Sequence, residues 1–251
     1  MSGSFRLLVL AGLVLAVGAC AVRPPYEPAN DPLEPVNRVV YTFNDKVDRA
    51  VLKPVAKGYK RVVPGPVRTG VSNFFANLKQ PVVIVNDLLQ GQVVQTGSDT
   101  SRFIWNSTVG LAGVLDVATP MGLPAHDEDF GQTFGVWGFG EGWYLVLPLL
   151  GPSTVRDALG LPPEWELDPL YRTRRIALRN SASALRIVSA RANLLGASRV
   201  LEAAALDPYL YTREAYRQYR WNQIYNGNPP PPPAPDFGDD GNDGGARAPA
   251  N

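Results

Sequence analysis

The residues best suited to chemistry lie in the stretch AHDEDFG. His126, the only histidine of the 251 residues, precedes three acidic side chains, Asp127, Glu128 and Asp129. A histidine beside carboxylates can act in acid–base catalysis or ligate a metal ion. Zinc, however, is usually held by several cysteine or histidine ligands, and this sequence contains one of each. The pattern therefore favours a solvated acidic turn that caps the following segment, and we expect no metal site.

The other candidate motifs for catalysis are incomplete. Ser153, in GPSTVRD, lacks the G-x-S-x-G context of a hydrolase nucleophile and is instead predicted to be a helix N-cap. Arg156 and Asp157 have no nucleophile paired with them in the sequence. The glycines of GVWGFGEG do not match G-x-G-x-x-G, and the strand that usually precedes such a loop is missing. We therefore expect no catalytic residue, no cofactor and no enzyme.

The single cysteine, Cys20, directly follows an apolar N-terminal segment. The run Leu7–Val17 is too short to cross a bilayer, which needs about 20 apolar residues, but it has the length of a secretory signal. The three residues before the cysteine resemble a bacterial lipobox, in which the cysteine is acylated after cleavage: Val17, Gly18 and Ala19. Lipid attachment at Cys20 would tether the chain to a membrane. The alternative is a free or buried cysteine beside an ordinary cleavage site.

Composition divides the chain into four parts. Residues 1–19 form the signal peptide, residues 20–29 a lipidated linker, residues 30–227 the folded domain, and residues 228–251 a tail rich in Pro, Gly and Asp. The tail has too little apolar surface to offset its ordering entropy, so it is predicted to be disordered. Charged residues make up 19% of the chain without a basic stripe, which argues against nucleic-acid binding.

The folded domain has the apolar spacing of amphipathic helices, which predicts an all-α fold. Asp-Pro pairs at Asp31, Asp168 and Asp207 are each predicted to begin a helix, with the aspartate as N-cap. Pro54 and Pro81 are predicted to end helices. A further helix is expected over residues 98–110.

The region of residues 110–165 is rich in glycine, proline and aromatic residues, and its periodicity fails. The apolar stretch Tyr144–Leu150 could be a buried strand or a turn lying on lipid. Trp137, Trp143 and Tyr144 flank the glycines, where aromatic side chains could anchor at a bilayer interface or fill a core. For the aromatic residues of the last helix, after Asp207, we favour the core.

Four ordered sequence blocks between Asn30 and Gly227 resemble the MlaA/VacJ family of outer-membrane lipoproteins. They read NDPLEPVNR, VRTGVSNFFANLKQPVVIVNDLLQG, DFGQTFGVWGFGEGWYLVLPLLGPSTVRDALG, and ARANLL leading to DPYLYTREAYRQYRWNQIYNG. The resemblance implies a ring of amphipathic helices, embedded in the membrane interface from the periplasmic side of the outer membrane, around a polar passage. It also implies removal of mislocalised phospholipid from the outer leaflet and its transfer to a periplasmic lipid-carrier protein, beside a trimeric porin.

If the domain is embedded as the resemblance implies, seven apolar side chains are candidates for membrane or lipid contact. They are Val40, Phe43, Phe74, Phe75, Trp137, Trp143 and Tyr144. The same apolar stripes would also serve a water-soluble helical bundle. Two other functions stay open at this point: a structural adaptor that docks on porins, and an envelope hydrolase that uses the polar cluster around His126.

The lipid anchor can be tested by the change Cys20→Ser. Without the thiol the precursor cannot be acylated, so we expect an uncut signal peptide and loss of the protein from the outer-membrane fraction. Cell fractionation and mass spectrometry of the N-terminus measure both, with Val22→Ser as a control that keeps the lipobox intact. Mature Cys20→Ser protein at its normal level in the outer membrane would contradict the anchor.

Overall fold

A computed structural model describes residues 31–230, except for the side chains of residues 198–204. The predicted signal peptide and lipobox (Val17, Gly18, Ala19 and Cys20), the linker up to residue 29 and the tail beyond residue 230 lie outside this part.

The described part of the chain is built mainly from helices. In order they are α1 (Glu34–Val47), a π-helical segment (Asp48–Leu52), α2 (Lys53–Val62), α3 (Gly65–Leu89), α4 (Val93–Thr108), a 3₁₀ turn (Thr119–Met121), α5 (Phe130–Val136), α6 (Val155–Leu167), α7 (Ile176–Ala204) and α8 (Pro208–Ile224). Between α5 and α6, strands β1 (Tyr144–Leu147) and β2 (Gly151–Thr154) form an antiparallel hairpin. The hairpin contradicts the prediction that the fold is all-α. For the apolar stretch that begins at Tyr144, where a buried strand or a turn on lipid was open, the structure shows a strand.

Two prolines that were predicted to end helices lie inside continuous helical structure. Pro54 occupies the start of α2, directly after the π-helical segment, so α1 runs through it into α2. Pro81 lies in the middle of α3. A mid-helix proline costs about 3 kcal/mol. At Pro81 the neighbouring Gln80, Val82 and Val83 are all buried, and their packing holds the helix together across the missing hydrogen bond.

Of the three predicted aspartate caps, one is confirmed. The carboxylate of Asp207 accepts hydrogen bonds from the backbone of Tyr209 (2.9 Å) and Leu210 (3.2 Å) at the start of α8. Asp168 instead closes a turn and binds Arg186 at 2.5 Å, and the next helix begins eight residues later at Ile176.

Asp31 and Ser153 were also wrongly predicted as N-caps. Helix α1 starts after Leu33 without a side-chain cap, and the Asp31 carboxylate accepts hydrogen bonds from Asn37 and from the Tyr209 hydroxyl. Ser153 lies in β2, and its neighbour Thr154 caps α6 through the Asp157 amide (3.2 Å). In both places tertiary contacts shifted the helix start by one or two residues.

The hairpin is held on α1 by two asparagine side chains. Asn37 donates to the Tyr144 carbonyl (2.9 Å) and accepts from the Val146 amide (2.9 Å). Asn44, two turns further along α1, donates to the Leu147 carbonyl (2.9 Å) and accepts from the Leu149 amide (2.8 Å). These bonds satisfy the backbone groups of a strand edge that would otherwise have no partner.

The packing is inverted relative to a water-soluble protein. Among residues 31–197 and 205–230, twelve hydrophobic residues are buried, against twenty polar or charged ones. In the same ranges thirty-five large hydrophobic side chains are exposed, and the exposed fraction of Val94, for example, is 90%. Polar residues are normally the exposed class. Within residues 31–230, no helix has the length and hydropathy needed to cross a membrane.

Candidate functional site

Helices α3 and α4 face each other through polar side chains. On α3, Asn77 and Gln80 lie one turn apart and are buried, and on α4 Asp99, Arg102 and Asn106 follow at helical spacing and are buried as well. The opposite side of α4 presents apolar residues to the outside, with Ile104 and Trp105 exposed. Helix α4 is therefore amphipathic in the reverse sense, with its polar side inward, whereas α3 buries Phe75, Val82 and Val83 together with its polar residues.

A cavity of about 280 Å³ lies between these two helices and the loops that follow them. Its lining residues are Asn73, Ala76, Asn77, Lys79, Gln80, Val83, Arg102, Asn106, Asp116, Ala125, His126 and Asp127. Two ion pairs cross this wall: Lys79 with Asp127 at 2.5 Å, and Arg102 with Asp116 at 3.3 Å. Both carboxylates come from loops, so the loops complete a site that the helices begin.

Arg102 is the most deeply buried cation of this cavity, with 4% of its surface exposed. Its guanidinium donates to the Thr119 hydroxyl (3.1 Å), to the Leu123 carbonyl and to both Asp116 oxygens. Burial by itself would raise the pKa of Asp116, but hydrogen bonds from Thr119 and Asn106 and the charge of Arg102 lower it. The Asp116 carboxyl group is therefore ionised near neutral pH.

A second cavity, of about 130 Å³, lies between α5, α6, α8 and the hairpin. Arg220, on α8, joins Asp129 at 2.5 Å and Asp157 at 3.0 Å on its wall. The Tyr216 hydroxyl donates to Asp157 at 2.7 Å. This arginine lowers the pKa of both aspartates, overcoming the opposite effect of their burial.

Two glycines allow α5 and α6 to approach around that cavity. A Cβ atom on Gly131 would lie 2.5 Å from the Asp157 carboxylate, and one on Gly160 would lie 2.7 Å from the Gly131 nitrogen. Neither position has room for a side chain. The glycine-rich sequence is thus helical and close-packed over α5, whereas Gly138, Gly142 and Gly151 beyond it have the positive φ angles of irregular backbone.

Lys79 lies between the two cavities. It lines the larger one, and its charge also interacts with Asp129 and Glu164 of the smaller one. Burial lowers the pKa of Lys79, but the carboxylates, Asp127 first among them, outweigh that effect and raise it. Burial and the nearby Asp129 raise the pKa of Glu164 to about 7. The charge of protonated Lys79 thus acts on carboxylates of both cavities.

The histidine cluster is more buried than the sequence suggested. Asp129 does cap α5, through the Gln132 amide at 2.8 Å, but Glu128 is 3% exposed rather than solvated. His126 places Nδ1 2.7 Å from the buried carboxylate of Asp99. Within the described residues, no group of three histidine, cysteine or acidic side chains could hold a metal ion.

The chemistry open to His126 is limited by its partners. A histidine bonded to a carboxylate through Nδ1 matches the base of a hydrolase, which also needs a hydroxyl or thiol nucleophile on its other nitrogen. In the part of the chain that the structure describes, Asp99 is the only hydrogen-bond partner of this ring. The Asp99 carboxyl group therefore orients the His126 ring at the cavity wall.

Asp87 and Asp99 form a buried acidic pair beside this histidine, and neither side chain is exposed. Burial and the charge of Asp99 raise the pKa of Asp87 to about 7. Gln95 bridges the Asp87 carboxyl (2.8 Å) to that of Glu128 (3.1 Å). One oxygen of Asp87 and one of Asp99 have no protein partner.

The seven predicted lipid-contact residues divide into three groups. Phe43, Trp137 and Trp143 are exposed by about half, at 49%, 51% and 58%. Val40 and Phe74 are partly buried. Phe75 and Tyr144 are buried, and Tyr144 packs in a cluster with Val146 and Tyr209, so these two side chains belong to the interior.

The prediction that the aromatic residues of the last helix fill a core is confirmed in part. Tyr209 is buried and Tyr216 packs against its cluster, whereas Tyr211 and Tyr219 are exposed. The buried cations of this helix are Arg213, Arg217 and Arg220. The family resemblance implied a polar passage but assigned no residue to its lining, because the apolar stripes of the helices do not show which polar side chains face inward. The sequence signal that could have identified the interior is the helical spacing of the polar residues themselves.

Residues 29–223 match the family described as MlaA lipoprotein. The chain is 37% identical, over 88% of its length and 89% of the relative, to the intermembrane phospholipid transport system lipoprotein MlaA of Escherichia coli (strain K12). A Haemophilus influenzae protein of the same name is 34% identical over 75% of this chain and 77% of its own. A solved structure from a study of the maintenance of bacterial outer membrane lipid asymmetry superposes with a TM-score of 0.69 at 33% identity, covering 79% of this chain and 100% of its own.

The change Asp87→Asn tests the acidic pair. The unfolded pKa of an aspartate is about 3.9, below the folded value of about 7, so the folded state holds an extra proton between these values. The wild type should therefore lose stability as pH rises from about 4 to 7, whereas the amide cannot ionise. We expect the variant to be more stable by an amount that grows to about 2–4 kcal/mol at pH 8.

Thermal melting at several pH values measures this difference. Asp45→Asn removes a carboxylate from a partly exposed ion pair with Arg49 on α1 and serves as the control. A constant difference in melting temperature between Asp87→Asn and wild type from pH 4 to pH 8 would contradict the raised pKa.

Proposed function

The chain belongs to the MlaA lipoprotein family, and we propose that it removes mislocalised phospholipid from the outer leaflet of the outer membrane and passes it to a periplasmic lipid carrier. This transport maintains the lipid asymmetry of the outer membrane. Its relatives carry the name of an intermembrane phospholipid transport system. We assign the chain no catalytic step.

The observation that carries the proposal is the inverted packing of the helices. Buried polar groups and exposed apolar groups are both unfavourable in water. Where the outer surface meets acyl chains and the interior holds water and headgroups, both become favourable. Helices satisfy their own backbone hydrogen bonds and tolerate such a setting. We therefore place the ring in the membrane interface, with its apolar surface, including Phe43, Trp137 and Trp143, in contact with lipid.

The polar passage is assigned to the two cavities and to Lys79 between them. A headgroup that changes leaflet must cross hydrocarbon, where a charge is costly unless water or polar groups meet it. The two cavities offer paired charges and amides along that path. The tails can stay in the surrounding lipid while the headgroup passes inside, so the barrier falls without nucleotide hydrolysis.

Anchoring at Cys20 on the periplasmic side places the domain where it can reach both leaflets and the carrier. A trimeric porin is proposed as the neighbour in the membrane, because an exposed apolar surface can pack against the outside of a barrel as well as against lipid. A porin adaptor without transport would not need the charged passage, which favours transport over that alternative.

Deletion of the gene should increase phospholipid in the outer leaflet, and complementation tests the passage. We expect wild type and Lys57→Met to restore asymmetry, and Lys79→Met to restore at most about a tenth of it, because unpaired Asp127 and Glu164 would then face the path. Labelling of intact cells with a membrane-impermeant amine reagent measures exposed aminophospholipid. Lys57 is an exposed lysine on α2 and controls for loss of charge. Unchanged labelling after deletion would refute the function.

Embedding can be tested through the tryptophans. In vesicles with brominated acyl chains, bromine quenches fluorescence only from rings that lie among the chains. We expect strong quenching of the wild type, a clear drop of the quenched fraction in Trp143→Phe, and little change in Trp221→Phe, whose ring is partly buried against Tyr225. Quenching by aqueous acrylamide alone, with none by bromine, would place the exposed surface in water.

A further inference from the structure

We propose that the larger cavity, between α3 and α4, prefers a zwitterionic headgroup with a primary ammonium over an anionic headgroup. This inference rests on the proposed function and specifies which phospholipid the passage accepts. The argument uses the charges of the cavity wall and the buried polar atoms that lack partners.

The charges on the wall are balanced. It carries two cations, Lys79 and Arg102, and two carboxylates, Asp116 and Asp127, arranged as two close pairs. A headgroup with only a negative charge would meet the cations but would also lie beside both carboxylates. A zwitterion can place its phosphate near the cations and its ammonium near the carboxylates, so both ends are matched.

Three buried side-chain atoms on this wall have no hydrogen-bond partner: Arg102 Nε, Asn77 Oδ1 and Gln80 Oε1. Their residues are 4%, 7% and 6% exposed. The first is a donor that suits a phosphate oxygen, and the other two are acceptors that suit an N–H group. Because an unmade buried hydrogen bond is costly, a ligand that supplies both kinds of partner gains affinity.

The two acceptors without a partner, Asn77 Oδ1 and Gln80 Oε1, also distinguish between two kinds of zwitterionic headgroup. A primary ammonium carries three N–H donors, whereas a quaternary trimethylammonium carries none and cannot bond Asn77 or Gln80. The cavity of about 280 Å³ lies just under the range of sites that enclose drug-sized ligands. It therefore has room for a headgroup, and the acyl chains remain outside.

The test is competition between lipids for the full-length acylated protein. The protein is incubated with vesicles of phosphatidylethanolamine and phosphatidylglycerol in equal amounts, re-isolated, and its bound phospholipid is identified by mass spectrometry. We expect phosphatidylethanolamine to be enriched about threefold to tenfold. Asp127→Asn should shift the ratio towards phosphatidylglycerol, and Asp45→Asn, the same change on the outer side of α1, should not.

The outcomes separate this inference from the proposed function. Bound lipid without any enrichment, or a ratio that Asp127→Asn leaves unchanged in a protein with a native circular dichroism spectrum, overturns the headgroup preference and leaves transport standing. Absence of bound phospholipid counts against both. A parallel mixture with phosphatidylcholine tests the acceptors, because equal uptake of the two zwitterions would refute recognition of the primary ammonium. If Asp127→Asn fails to fold, the ratio of phosphatidylethanolamine to phosphatidylglycerol bound by the wild type still tests the headgroup preference.

Discussion

The structure depends on the pairing of charges that lie inside it. Arg220 is held between Asp129 and Asp157, and Arg217, almost fully buried, bonds Glu141 at 2.8 Å. A buried ion without a partner costs several kcal/mol, so removing one member leaves the other strongly destabilising. These pairs connect α8 to α5, α6 and the loop before the hairpin. They take the place that a hydrophobic core occupies in a water-soluble domain.

Charge pairing in the interior leaves the apolar side chains to the outer surface. On α4 and α8 the charged side chains Asp99, Arg102 and Arg220 are buried, whereas large apolar and aromatic side chains are exposed, among them Ile104, Trp105 and Tyr219. That distribution is favourable only where the surroundings are apolar. The same arrangement leaves cavities whose walls are polar yet balanced in charge, and the proposed transport of a headgroup depends on this property.

Several local features of the fold were predictable from the sequence. The amphipathic period of the helices and the cap at Asp207 follow from interactions within a few residues. The prolines show where such reasoning ends. At Pro81 a local rule predicts a break, but burial of Gln80, Val82 and Val83 on both sides outweighs it. At Asp31 and Asp168, hydrogen bonds from Asn37, Tyr209 and Arg186 engage carboxylates that could have capped helices.

By itself, the sequence determined that the chain forms amphipathic helices, that it carries a lipobox-like signal, and which family it resembles, since these are properties of residue order. Only the tertiary structure decided which side of each helix faces inward. A 3.6-residue period is the same whether water or lipid surrounds the helix, so it does not show whether the polar or the apolar side faces inward. That orientation is set by long-range ion pairs such as Lys79 with Asp127 and Arg102 with Asp116, which join residues 48 and 14 positions apart.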